Sequence, residues 1–203
     1  MKKFVIGLRG GIGTGKSSVS KIFESLGIDI ADADISSRNV MRPGEQIFTS
    51  VVDHFGKDIL DSSGEINRSA LRKIVFSKPE EKTFLENQTI PAIIKDLMET
   101  IQSSSSEYVM LVLSTGVGRT SLMDRLLVVD AKKNTQIERV MKRDMNSKNE
   151  VEAIISSQPS REDRLTENDD LILNEGSIED LERQVMPLHE KYLGLARAKK
   201  LHG

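Results

Sequence analysis

The sequence predicts an α/β fold, in which helices pack on a parallel sheet and a long helical segment is inserted between two strands. Three observations support this prediction. An apolar run of strand type, Phe4 to Leu8, leads through a glycine-rich turn into apolar positions at helical spacing. A second short strand, Ile28 to Ala31, closes a βαβ unit, which should be right-handed. Residues 35–105 then have mostly helical patterns, before the next buried strand at 108–113.

The glycine-rich turn, Gly10 to Ser17, fits the phosphate-loop pattern G-x-x-x-x-G-K-[ST] at every fixed position. The first turn of a helix leaves backbone N–H groups unpaired, and glycines let the backbone curl around an oxyanion. Lys16 can then reach the β- and γ-phosphates of a nucleotide, and the Ser17 hydroxyl can ligate Mg²⁺. The alternative is a glycine-rich turn that carries a lysine by chance, but the flanking strand and helix favour the phosphate loop.

Two aspartates follow the second predicted strand, at the sheet edge where open α/β proteins bind ligands. Asp32 and Asp34 are two residues apart, and in an extended segment such residues point the same way. We therefore expect both carboxylates to face the phosphate loop. One could accept a proton from an attacking hydroxyl group, and either could help to hold Mg²⁺. Capping of the next helix by one of them is the alternative.

The inserted segment is predicted to contain several helices. One ends at Gly56, a second is capped by Asn67, and a third runs from Pro79 to about residue 101 with an interruption at Pro91. Because the insertion is long, it suggests a separate substrate-binding subdomain.

Further strands are predicted at 108–113, 126–129 and 170–173. The second of these ends at Asp130, which suits a turn better than a magnesium site. Ser177 is expected to cap a C-terminal helix.

The charged region between the last two predicted strands has two interpretations. Thr135 opens a four-residue stretch with the spacing of a capping box, which predicts a helix that carries Arg143. Residues 146–168 are polar, with Arg161 and Arg164 among acidic residues. They form either a solvated helical hairpin or a lid whose arginines close over phosphates.

The composition excludes several classes of protein. The chain has 203 residues, 37% of them hydrophobic, which is enough for one α/β domain with an inserted subdomain. Its net charge of −2 gives no reason to expect a nucleic-acid partner. It has no cysteine and three scattered histidines, so a thiolate or histidine metal site is not expected. It shows no apolar run of roughly 20 residues and no signal-peptide pattern, which predicts a cytoplasmic protein without a membrane partner.

Nearly the whole chain resembles the dephospho-CoA kinase family. The most specific matches are the phosphate loop, Asp32-Ala33-Asp34 and the stretch Asp169 to Gly176, found together. Shorter matches are Gly7-Leu8, Leu26-Gly27, Phe55-Gly56, Arg68 with Leu71 and Phe76, Pro79 to Lys82, Val128 to Asp130, Arg143-Asp144 and Gln158. The resemblance implies an α/β, three-layer P-loop kinase core with a parallel sheet over 1–34, 106–134 and 166–203, a helical CoA-binding subdomain over 35–105, and a helical lid over 135–165.

The resemblance also implies an activity and its residues. The activity is transfer of the ATP γ-phosphate to the 3′-hydroxyl group of dephospho-CoA, the last step of coenzyme A biosynthesis. Asp34 would be the base, with Lys16 and Arg143 at the phosphates, and Mg²⁺ is expected on Ser17 and Asp34. The expected ATP contacts are Gly11, Ile12, Gly13, Thr14, Gly15, Lys16, Ser17, Ser18, Asn174 and Gly176, the last two beside the adenine. The chain is expected to be a monomer or a small homo-oligomer.

Two segments depart from the family pattern. Ile90-Pro91 stands where the family usually has His-Pro, and Ser114 to Gly118 stands where it usually has a Pro-Leu-Leu-aromatic-Glu segment. Both are expected near the CoA substrate or the catalytic edge. Two alternatives stay open: a kinase for another small-molecule alcohol, and a nucleotide-binding relative with weak or no kinase activity.

Overall fold

The structure is a computed structural model that describes residues 2–114, 116 and 118–202. The chain separates into two compact units. The first contains the residues up to Asp32 and those from Ile101 onward, and the second contains Ala33–Thr100. The assignment of 35–105 to CoA binding and of 135–165 to a lid stays a prediction.

The sheet of the first unit is parallel throughout. Among the described residues it has five strands: β1 Val5–Arg9, β2 Asp29–Asp32, β3 Val109–Val112, β4 Arg125–Asp130 and β5 Asp170–Leu173. Their order is β2-β3-β1-β4-β5, and Gly7 of β1 pairs with Leu111 on one side and Leu126 on the other. The connections after β1 and after β3 therefore lead to opposite sides of the sheet. This switch places a ligand-binding crevice at the carboxyl end of β1.

The helices follow in chain order. The described residues contain α1 Lys16–Ser25, α2 Ala33–Asn39, α3 Gln46–Phe55, α4 Arg68–Ser77, α5 Pro79–Ser103, α6 Lys133–Asp144, α7 Lys148–Ser157, α8 Arg161–Leu165 and α9 Ile178–His202.

The main core lies between the sheet and helices α1 and α9. Ile6 and Leu8 of β1 are fully buried in one cluster with Phe23 of α1 and Tyr192 of α9. The rings of Phe23 and Tyr192 stack with their centroids 6.1 Å apart. Val109, which lies on the opposite face of the sheet, is also fully buried. Both faces are thus covered, as is usual for a parallel sheet.

The second unit has a small core of its own. Its buried apolar residues are Met41, Val51, Ile59, Ile66 and Leu71. His54 of α3 connects this core to α5, because its Nε2 lies 2.6 Å from a carboxylate oxygen of Glu81 and its ring stacks on Phe84. Asn67 caps α4 by accepting a hydrogen bond from the Ala70 N–H at 3.1 Å, as the sequence predicts.

The predicted strands and the helix end at Gly56 are confirmed to within one or two residues, and so is the cap at Ser177, which accepts a hydrogen bond from the Asp180 N–H. Two details of the prediction from the sequence are wrong. Helix α5 continues through Pro91 without a break, because about three turns on each side outweigh one missing hydrogen bond. Helix α6 begins before Thr135, whose hydroxyl donates to Glu175 instead of capping the helix.

Asp170 joins β5 to β4 and α9. It is buried, and it accepts hydrogen bonds from Arg125 Nε at 2.5 Å, Lys191 Nζ at 2.6 Å and the Tyr192 hydroxyl at 3.0 Å. Burial alone would raise the pKa of the Asp170 carboxyl group, but the three donors outweigh it and the pKa is lowered. The ionised carboxylate therefore stabilises the folded state.

Asp170→Asn is expected to reduce the free energy of unfolding at pH 7 by roughly 2–3 kcal/mol, because it leaves two cations facing an uncharged amide. Since the folded pKa is depressed, this contribution is present above the unfolded pKa of about 4 and is lost as the pH falls through the folded pKa. Urea unfolding at pH 7 and at pH 3 measures both effects.

The control for this experiment is Lys82→Gln, which removes an exposed ion pair with Glu86 at 3.8 Å. It should change stability by less than about 0.5 kcal/mol at either pH. A loss in Asp170→Asn no larger than that of the control would show that the Asp170 network does not stabilise the fold.

Candidate active site

The phosphate loop joins β1 to α1, at the carboxyl end of the central strand. Gly13 and Gly15 have positive φ angles of 72° and 95°, which glycine adopts without steric strain. Lys16, Ser17 and Ser18 occupy the first turn of α1, so the positive end of that helix dipole faces the loop without a competing carboxylate in the turn. This arrangement can bind an anion.

Lys16 is held over the loop by hydrogen bonds to the backbone. Its Nζ lies 2.8 Å from the carbonyl oxygen of Gly10 and 3.1 Å from that of Gly11. The fully buried Thr14 donates its hydroxyl to the same Gly11 carbonyl at 2.9 Å. The ammonium group is therefore beside the turn, where phosphate oxygens could replace the two carbonyls as its partners.

Asn174, which follows β5, fixes the other end of the loop. Its buried Nδ2 donates to the carbonyl oxygen of Thr14 at 2.8 Å, and a Cβ on Gly15 would stand only 2.1 Å from that Nδ2. Arg139 of α6 donates to Asn174 Oδ1 at 3.4 Å. With Gly176, these side chains line a cavity of about 180 Å³ that offers amide groups and a guanidinium plane to an aromatic base.

Helices α6 and α7 pack directly on the loop. Ile12 contacts a buried cluster of Ile137, Val140 and Val151. Gln158, just after α7, accepts a hydrogen bond from the Ile12 N–H at 3.0 Å. A glutamine from the predicted lid therefore occupies one of the N–H groups that a phosphate would use.

Two arginines of α8 lie near the loop and the end of β4. Arg164 is buried, and its guanidinium carbon is 3.2 Å from the position of a Cβ on Gly11. Arg161 bonds one oxygen of the buried Asp130 through Nε at 2.8 Å and Nη2 at 2.6 Å. Asp130 therefore anchors α8 to the sheet, which is a larger role than the turn that the sequence predicts for it.

Arg143 has a different partner. It is exposed near the end of α6, and its Nε and Nη2 each donate to a carboxylate oxygen of Asp144 at 2.7 Å. These hydrogen bonds raise the pKa of Arg143 and lower the pKa of Asp144. The arginine that the structure places against the loop is Arg164, and the predicted role of Arg143 at the phosphates requires it to leave Asp144.

Asp32 and Asp34 lie in different kinds of structure. Asp32 is the last residue of β2, in register with Val112, whereas Asp34 is the second residue of α2. The expectation that both belong to one extended segment and point the same way is wrong, because the helix begins at Ala33. Asp32 ends a strand of the first unit, and Asp34 belongs to the Ala33–Thr100 unit.

The segment that departs from the family pattern after β3 lines a second cavity beside the loop, of about 400 Å³. Its wall includes Gly10, Gly11, Ser114, Gly116, Gln158 and Arg164. Of these, only Arg164 is charged, which suits an anionic ligand. Thr115 and Val117 lie outside the described residues. Ile90, the other departure, is exposed on α5.

Within the residues that the structure describes, no group of three or more His, Asp or Glu side chains is placed to hold a metal ion. A Mg²⁺ ion that accompanies a nucleotide needs only one or two protein oxygens, since phosphates and water supply the rest. Ser17 and Asp34 offer a hydroxyl and a carboxylate, both oxygen donors of the type that Mg²⁺ prefers. In the same residues, no helix is long and apolar enough to span a membrane.

Gln158 and Arg139 both contribute to the surroundings of the loop, although neither is among the site residues predicted from the sequence. Gln158 matches the family pattern, and this match is the sequence feature that points to a role for it. Arg139 precedes Arg143 by four residues, so both lie on one side of α6 and the argument for an arginine at the nucleotide applies to either.

Comparison with known proteins gives a consistent result along the chain. The family model described as dephospho-CoA kinase matches residues 4–180. The dephospho-CoA kinase of Idiomarina loihiensis is 43% identical, over 97% of this chain and 98% of that protein. That of Mannheimia succiniciproducens is 39% identical, over 97% and 94%. The crystal structure of TT1252 from Thermus thermophilus has a TM-score of 0.79 and 27% identity, over 94% of this chain and 98% of that one.

Gly15→Ala is expected to weaken ATP binding by about tenfold or more, because its Cβ would overlap Asn174 Nδ2 and displace either the loop or the amide. Gly27→Ala, just beyond the other end of α1, is the matched control. Gly27 also has a positive φ, 81°, but nothing lies within 4 Å of its added Cβ.

Both variants carry backbone strain of about 1 kcal/mol, so thermal unfolding should show that both lose a similar amount of stability from this strain. Calorimetric titration with ATP and Mg²⁺ should then separate them, since only Gly15→Ala disturbs the loop. Equal affinities for ATP would show that the contact between Asn174 and the loop does not shape the nucleotide site.

Proposed function

The chain belongs to the dephospho-CoA kinase family, and from this we propose that it transfers the γ-phosphoryl group of ATP to the 3′-hydroxyl group of dephospho-CoA, giving coenzyme A and ADP. The observation that carries the proposal is the extent of the similarity, since the family match covers residues 4–180 and relatives named dephospho-CoA kinase align over nearly the whole chain. The reaction would complete coenzyme A biosynthesis in the cytoplasm.

The phosphate loop binds the β- and γ-phosphates in this proposal. Phosphoryl transfer depends on positioned phosphates and on cations that stabilise the charge of the transferring group. Lys16 exchanges the carbonyls of Gly10 and Gly11 for phosphate oxygens. Gln158 releases the Ile12 N–H, which then donates to a phosphate. Each ligand contact thus replaces a contact within the protein.

The cavity beside Asn174 takes the adenine. Arg139 and Gly176 are part of its wall, and a guanidinium group can stack on an aromatic base. The support for this assignment is that Asn174, which the family resemblance places beside the adenine, is bonded to the phosphate loop through the carbonyl of Thr14.

Asp34 serves as the base that orients and deprotonates the 3′-hydroxyl group. Ser17 and Asp34 are the residues that would hold the Mg²⁺ ion, which neutralises phosphate charge when it is bound. The lid arginines, Arg164 and Arg143, provide the remaining cations. Asp32, at the end of β2, has a supporting role at the site and does not take the proton of the 3′-hydroxyl group.

A coupled assay of ADP release tests the proposed function. Dephospho-CoA is the acceptor, adenosine and pantetheine are the controls, and mass spectrometry identifies coenzyme A as the product. Lys16→Ala should lower the rate by on the order of 10²-fold or more, since it removes a cation placed at the phosphates. Phosphorylation of another alcohol in preference to dephospho-CoA, or ATP binding without turnover, would overturn the proposal.

Kinetics can test whether Arg143 meets the transferring phosphate. Arg143→Ala is expected to lower kcat more than it raises the KM for ATP, if Arg143 leaves Asp144 to meet the transferring phosphate. Arg143→Lys should restore only part of the rate, because an ammonium group lacks the planar fork. Arg183→Ala, which removes an exposed ion pair with Asp180, is the control and should leave the rate unchanged.

Steady-state kinetics with both substrates varied gives the two constants. Equal rates for Arg143→Lys and the parent protein would show that Arg143 remains a surface residue during turnover. Arg164→Ala would then be the variant in which the loss of kcat appears.

The two aspartates should also be separable by kinetics. Asp34→Asn keeps the shape of the side chain but removes the base, so it should bind ATP nearly normally and lose about 10²- to 10⁴-fold in kcat. Asp32→Asn should have a milder effect. ATP affinity and kcat at saturating Mg²⁺ are the measurements, and an inactive Asp32→Asn with an active Asp34→Asn would reverse the assignment.

A further inference from the structure

The second unit contains an arginine-lined cavity that the mechanism above does not use. Its volume is about 260 Å³, and its wall includes Arg38, Arg42, Arg68 and Glu65 over the buried side chains of Met41 and Ile66. The arginines come from α2, from the turn after it and from the first residue of α4. Three separate positions in the sequence therefore bring cations to one cavity.

The residues that line this cavity carry an excess of positive charge. Three guanidinium groups and one carboxylate leave two positive charges in the wall. In the described part of the chain, none of the three arginines has a carboxylate oxygen within ion-pair distance, and Arg68 donates only a long hydrogen bond, 3.4 Å, to the Ser37 carbonyl. Partial desolvation in the cavity wall, and then repulsion from Arg38, lower the pKa of the otherwise exposed Arg68. Crowded cations of this kind are stabilised by a bound anion.

The cavity adjoins the proposed catalytic base within the same unit. Asp34 and Arg38 are four residues apart on α2, so their side chains lie one turn apart on one face of that helix. Asp34 is also one of the charges that act on Arg68. An anion held by the arginines would therefore lie close to Asp34.

We propose that this cavity binds the diphosphate group of the acceptor, an inference that rests on the proposed function. A diphosphate diester carries two negative charges at neutral pH, which match the two unbalanced cations. Its oxygens suit the planar forks of arginine. In dephospho-CoA this group is attached to C5′ of the same ribose that carries the 3′-hydroxyl. Holding the diphosphate in the cavity thus brings the reacting hydroxyl group to Asp34.

Single variants Arg38→Gln, Arg42→Gln and Arg68→Gln test the proposal. Each should raise the KM for dephospho-CoA by about tenfold, as expected for loss of a charge-assisted contact, and leave the KM for ATP unchanged. Lys73→Gln is the matched control, because it removes an exposed cation from α4 that does not line the cavity. An unchanged KM for dephospho-CoA in all three arginine variants would overturn the proposal.

Calorimetric titration with dephospho-CoA, in the presence of ADP to fill the nucleotide site, separates this inference from the proposed function. If the parent protein does not turn over dephospho-CoA, the proposed function fails, and the titration still decides the cavity. Weaker binding in the arginine variants than in the parent supports the diphosphate site. Equal binding, or no binding to the parent, refutes it.

Discussion

A Cβ atom on Gly10, Gly13 or Gly15 would overlap atoms from three different elements of the chain. It would lie 2.4 Å from the Val129 carbonyl oxygen, 2.7 Å from that of Gln136 and 2.1 Å from Asn174 Nδ2, respectively. These neighbours come from β4, from α6 and from the turn after β5. Backbone and buried amide atoms cannot move aside cheaply in a close-packed interior. The shape of the anion site therefore depends on the second half of the chain closing around a loop near the N-terminus.

Donors of the loop and of the predicted lid already have partners within the protein. Lys16 bonds two carbonyls, the Ile12 N–H bonds Gln158, and Arg143 bonds Asp144. In the proposed mechanism a nucleotide exchanges these contacts for its own, so its affinity would be the difference between two sets of hydrogen bonds. Because Gln158 and Arg143 both belong to the predicted lid, such an exchange would also couple phosphate binding to the position of α6 and α7.

The sequence predicts what depends on local pattern and fails where partners come from elsewhere in the chain. The phosphate loop, the strands and the cap at Asn67 follow from spacing within a few residues. The relative direction of Asp32 and Asp34 is predicted wrongly, because three residues, Asp-Ala-Asp, are too few to distinguish the end of a strand from the start of a helix. The position of Arg164 beside Gly11 cannot be predicted from the sequence, because it depends on how α8 packs against the loop.

The two departures from the family pattern change residues that the proposed chemistry does not require. Among the described residues, the cavity after β3 is lined by Ser114, Gly116 and the cation Arg164 and by no carboxylate, which suits an anionic ligand. Ile90 removes an imidazole from an exposed site on α5, whereas the cations proposed to hold the acceptor come from α2 and α4 and the turn between α2 and α3. The groups assigned to phosphoryl transfer, Lys16 and Asp34, are both present. In the proposed mechanism, the departures therefore alter the surroundings of the substrates rather than the residues assigned to phosphoryl transfer.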